Sequence, residues 1–247
     1  MTTSSSTNPP PQQGVWYIVK PYAVPIAAAS IAIVPAYFDF AAKSAIQIGE
    51  KPAGMGLKTA IKGGLGLSPV VAALVGTQMC LQWKVEQALV KAAPNFFAGD
   101  SMAEKTLLTL GASSIVGGLS SPVVAVFNDK LGVQSLGVRK TLSSMSIKTV
   151  CAISLQETGF VAGLAAAGLV SVPMKKIFGD NKGVEYLAAA VSGACGSLVG
   201  HPGNTVLTRS QNNMSIENLR QLTLGSFRRA RGCAIFSVVY KLIKEAF

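Results

Sequence analysis

Five stretches of this chain carry no Asp, Glu, Lys or Arg: residues 21–38, 63–83, 106–128, 158–174 and 187–208. Roughly 20 residues of helix cross about 30 Å of hydrocarbon, and most of these stretches reach or approach that length. A sixth, residues 232–240, is short and flanked by Arg231 and Lys241, but stays apolar to Ile243. Charged residues make up only 13% of the 247-residue chain, against about 25% in a soluble domain. The spans predict an all-α membrane protein of six transmembrane helices.

The formal net charge of +11 would suggest nucleic acid in a soluble protein. Its distribution says otherwise. With Asp39, Lys43 and Glu157 counted with the helices, the three odd connections hold twelve basic and three acidic residues, and the two even ones hold six and five. Concentration of Lys and Arg on one face is the positive-inside pattern, which puts both termini on the opposite face. The charge is therefore read as topology, with no nucleic-acid partner, and anionic lipid suits the basic odd connections. Cys80, Cys151, Cys195 and Cys233 each stand alone in an apolar segment, and His201 has no second ligand nearby. Buried free thiols are expected, with no metal and no cofactor. No Ser/His/Asp set, glycine-rich phosphate loop or catalytic carboxylate pair points to an enzyme. Residues 1–14 form a polar, Pro-rich tail, expected to be disordered.

Small residues recur at four-residue spacing: Ala28 and Ala32, Ser113 and Gly117, Ser114 and Gly118, Gly196 and Gly200. On helices they allow close backbone approach. A longer period overlies them. Pro202, after SGACGSLVGH, stands eighty residues beyond Pro122, after GASSIVGGLSS, and Phe38 lies eighty-four before that. Three units follow, at about 15–98, 99–180 and 181–247, each expected to be a helix bent near its end, a basic connection and a second helix. Repeated membrane units with polar groups at depth describe a transporter.

The segment PGNTVLTRSQ, residues 202–211, resembles the signature of the mitochondrial carrier family, in which a proline is followed by acidic, basic, basic and glutamine positions. The resemblance extends from about Val15 to Lys244. It implies a pseudo-threefold six-helix bundle, acting as a monomer in the mitochondrial inner membrane, of the cell or of a host, with the termini on the intermembrane-space side. It also implies a matrix gate, built here from Asp39, Lys43, Gln47, Pro122, Pro202, Asn204, Arg209 and Gln211. Tyr240 and Lys244 match part of the outer-gate motif. The departures are specific: Asn204 and Leu207 occupy an acidic and a basic place, Phe40 stands at the first acidic place, and Val124 and Phe127 stand at the charged places of the second repeat. A complete salt-bridge ring cannot form.

The sixth segment, SFRRARGCAIFSVVYKLIK, is similar to that of the ADP/ATP carriers, where an arginine contacts substrate. Arg228 or Arg229 matches it, with Arg231 nearby. Glu157, beside Gln156, is the charged residue of its apolar run, and an intramembrane carboxylate is a functional candidate by default. It is equally readable as a partner for Lys148 or a second-helix residue. Gly66, Ser68 and Gln78 on the second helix are uninformative, and Lys20 adds positive charge on the first. Clustered arginines suit a small anionic solute, most of all a nucleotide such as ATP or ADP. Glu157 points instead to a zwitterion such as an amino acid. A carrier for amino acids or carboxylates and a transport-inactive scaffold or receptor stay open as alternatives.

Overall fold

The computed structural model describes residues 15–52, 54–98, 101–131 and 136–247, so the tail at 1–14 lies outside the described residues. Those residues are predominantly helical, with no strand among them. Five long elements stand for the five uncharged stretches: α1 (Val15–Gln47), α2 (Leu57–Ala92), α4 (Met102–Leu131), the pair α6 (Ile147–Ala165) and α7 (Ala167–Phe178), and α8 (Lys182–Gln211). Short α3 (Pro94–Phe97) and α5 (Val138–Ser143) lie in connections, and α9 (Ser226–Ala246) ends the chain after a 3₁₀ turn at Leu219–Thr223. Local signals set several boundaries. Ser101 and Glu104 exchange backbone and side-chain hydrogen bonds as a capping box ahead of α4. Asn181 caps α8 by accepting from the Val184 amide at 3.0 Å. At Gly179 the backbone turns to φ 87°, a conformation that ends α7 and that side chains disfavour.

Four helices, α1, α2, α4 and α8, are long and apolar enough to cross a membrane, and α6–α7 make a fifth if the bent pair is one span. α9 is not among them. The helices extend well past the uncharged stretches and take in charged residues at their ends. Pro122 and Pro202 lie inside α4 and α8, each of which continues through its proline as one helix. A bend of 48° falls between α6 and α7, within the uncharged stretch 158–174, where one helix was expected.

Each long helix packs against its neighbour in sequence, and α9 returns to α1, so the elements close into a ring. Glycines set the closest approaches. A Cβ on Gly159 would collide with the backbone of Gly196 and Gly200, and one on Gly203 with the Ala152 carbonyl. α6 and α8 therefore meet backbone to backbone, and the Ser192 hydroxyl donates across the seam to the Gly163 carbonyl. Ala28 and Ala32 are fully buried in α1, and a Cβ on Gly117 would reach 2.9 Å from the Thr158 amide nitrogen. Ser114, in contrast, is exposed.

The polarity of the ring is inverted relative to a soluble bundle. Ile31, Leu65, Leu119 and Val199 are exposed on its outside, while Asp39, Lys43, Gln78, Asn128, Glu157, Asn204 and Arg229 are buried inside. An apolar exterior of this kind fits a lipid surround. The expectation of four buried thiols fails for the same reason. Only Cys233 is buried, whereas Cys151 and Cys195 are exposed, because an apolar span turns part of its surface outward.

Candidate functional site

The ring interior has three levels. At the end where α1, α4 and α8 finish, their polar side chains converge on Asn204. Its Oδ1 accepts from Lys43 Nζ at 2.7 Å and from Gln47 Nε2 at 3.1 Å. Its Nδ2 donates to Gln156 Oε1 at 2.8 Å and to Asn128 Oδ1 at 3.3 Å. One amide thus ties together α1, α4, α6 and α8. Gln47 also donates to Thr205 Oγ1 at 2.8 Å, and Asn128 donates to Gln211 Oε1 at 2.6 Å. Arg209 does not reach the axis as a charge partner. Its guanidinium donates to the Ser215 and Gln47 carbonyls, locking the end of α8 to the end of α1.

Apolar groups fill the rest of this plug. Leu207, Val124 and Ile153 are fully buried in one cluster with Leu74 and Ala125, and Phe127 packs against it. Pro122 is exposed and Pro202 half-buried, so their contribution is to the backbone.

Above the plug lies a small cavity of about 60 Å³, lined by Lys43, Gln156, Glu157, Asn204 and Arg229 on its polar side. Both Glu157 oxygens accept hydrogen bonds, from Gln78 Nε2 at 2.7 Å and Gln156 Nε2 at 2.8 Å. The helix-two partner is therefore Gln78, whose Nε2 also reaches Ser120 Oγ at 2.9 Å. Arg229 is buried, and its Nε has no hydrogen-bond partner.

An apolar layer borders that cavity on the other side. Phe160 and Phe236 pack with ring centroids 5.8 Å apart, in a core shared with Ile33, Val71 and Val75. Beyond it a vestibule of about 1170 Å³ opens among Lys20, Trp83, Lys105, Tyr240 and Lys244. These residues come from the starts of α1 and α4 and the ends of α2 and α9, so the vestibule and the plug occupy opposite ends of the ring. Lys244 sits over the Tyr240 ring at 5.7 Å. The buried hydroxyls of Ser237 and Tyr240, at the vestibule floor, have no partner.

The candidate residues thus divide among three places. Lys43, Gln47, Asn204 and Gln211 meet in the plug. Gln156, Glu157 and Arg229 line the inner cavity, while Lys20, Tyr240 and Lys244 belong to the vestibule. Asp39 belongs to none of them. It takes Arg231 in a bidentate pair at 2.7 and 2.6 Å, and Arg228 at 3.3 Å, across the α1–α9 contact. Compared with protein-family models and with curated proteins, the chain matches none. What it can do is therefore read from these three levels.

Gln78 and Asn128 are the site residues that motif offsets miss. Each is a polar side chain in an otherwise apolar run, the signal that singled out Glu157. Asn128 lies one position beyond Phe127, outside the offsets counted from Pro122.

Proposed function

We propose that this chain is a membrane solute carrier of the mitochondrial carrier kind, with six spans in three repeats, moving an anionic metabolite by alternating access. One observation carries the reading: side chains of the first, third and fifth long helices converge to close one end of the ring, while the other end opens as a basic vestibule. The signature positions support it. Lys43, at a basic place, meets Asn204, at an acidic place. Val124 and Leu207, at an acidic and a basic place, share one apolar cluster. Phe40 and Phe127 stand at the remaining two and line the same inner cavity. The family's three bridges would here be one amide–ammonium bond and two apolar contacts. Such a gate opens without separating ion pairs, and we expect net uniport to exceed tight exchange.

The charge inventory bears on the solute. Asp39 engages Arg228 and Arg231, leaving Arg229 as the arginine that lines the inner cavity. The vestibule lysines would gather anions, and Arg229 would select among them. Uptake of labelled nucleotides, carboxylates and amino acids into proteoliposomes, empty and preloaded, tests the reading. Saturable uptake of an anion, lost in Arg229→Gln, is expected. Absence of uptake by correctly inserted protein would leave a membrane scaffold in its place.

A further inference from the structure

We propose that the inner cavity between the phenylalanine layer and the plug is a binding site for a small monocarboxylate with a short apolar body. The inference deepens the carrier reading and rests on it for the passage of that solute across the membrane.

Charge comes first. The cavity walls present two cations, Lys43 and Arg229, and one carboxylate, Glu157. With all three ionised they sum to a single positive charge, which one monovalent anion neutralises. A dicarboxylate would leave a negative charge among these buried groups. A zwitterion would leave that positive charge uncompensated. Buried uncompensated charge is costly, so these differences discriminate strongly.

Valence of hydrogen bonding comes second. Glu157 accepts from two amides, and Lys43 donates to Asn204. Arg229 lines the cavity, and its buried Nε has no acceptor. A guanidinium facing a cavity matches a carboxylate through its fork of N–H groups. An unmet buried donor of this kind calls for an explanation, and an anion supplies one.

Size and the remaining walls come third. A volume of about 60 Å³ is about four to six times the roughly 10–15 Å³ that one enclosed water needs, which gives room for a ligand of about that many heavy atoms. Opposite the polar side stand Ile33, Val75, Phe160 and Phe236. They suit a methyl or short alkyl group. A nucleotide fits the vestibule by volume, but not this space.

The test is thermal unfolding of the purified full chain in detergent, at matched ionic strength, with butyrate, succinate, alanine, ADP or chloride added. Butyrate at about a hundredfold excess over its Kd is expected to raise Tm by about 5 °C or more. The others should move it by less than about 1 °C. Arg229→Gln should abolish the butyrate shift, and Arg229→Lys, which keeps charge but loses the fork, should weaken binding about tenfold. An absent butyrate shift overturns the proposal, as does an equal or larger shift with any other ligand. So does an undiminished shift in Arg229→Gln; if that variant does not fold, the wild-type ligand series decides alone. Butyrate binding without flux in any assay would keep the site and sink the carrier. Flux of ADP without a butyrate shift would do the reverse.

Discussion

At the scale of single residues, Asn204 holds the most consequential place in the ring. It is 2% exposed and bonds side chains of three other helices. An asparagine can do this because its amide both donates and accepts, which a carboxylate cannot. Replacing it with alanine removes these bonds and leaves the Lys43 ammonium buried beside an empty space. A loss of about 2–3 kcal/mol is expected, read as a fall in Tm of detergent-purified protein. Asn204→Asp should act oppositely on the gate. It gives Lys43 a charge-assisted partner and should shift flux from uniport toward exchange in preloaded vesicles. An unchanged ratio would count against the plug as the gate. Adding Leu207→Lys, the other substitution that would restore the signature, would instead bury a charge in the apolar cluster around Ile153. The offsets around Pro202 made Asn204, Arg209 and Gln211 legible in the sequence. They did not reveal that Asp39 turns to α9, because the residue at the matching offset is Phe40 and a one-residue shift on a helix rotates a side chain by about 100°.

At the scale of elements, the α6–α8 seam positions the site. Gly200 lies against the backbone of Gln156, and Gly203 against Ala152, so the two helices are close enough for Gln156 to accept from Asn204. Gly196→Leu should therefore both destabilise the protein, by about 1–3 kcal/mol or more, and abolish flux. Gly168→Leu, at an exposed helical position where an added Cβ meets nothing within 4 Å, is the matched control and should change Tm far less and leave flux intact. Equal effects of the two would show that the seam has no special role. The element pattern was largely readable in advance. Four of the five uncharged stretches lie within single long helices and the fifth within the α6–α7 pair, as expected of apolar segments that satisfy their backbone internally. The break between α6 and α7 was not readable. Residues 165–168 read AAAG, with neither proline nor charge to mark a bend, and Pro173 falls a turn and a half beyond it.

At the scale of the whole molecule, two gradients run along the ring. Polarity falls from inside to outside, and the basic connections gather at the end closed by the plug. Together they set an orientation that can be measured. In a background with Cys80, Cys151, Cys195 and Cys233 replaced by alanine, a cysteine at Asn213 and one at Lys244 should react with an impermeant maleimide from opposite faces of sealed vesicles. Labelling from one face would refute the topology. The solute route itself is most directly tested by counterflow in proteoliposomes loaded with unlabelled anion, using whichever labelled anion the uptake panel shows to move best. A carrier with a vestibule, an arginine-lined cavity and a plug in series should transiently accumulate label above equilibrium, saturably, and Arg229→Gln should abolish the overshoot. Label that only equilibrates, or an overshoot that survives Arg229→Gln, would contradict alternating access through this cavity.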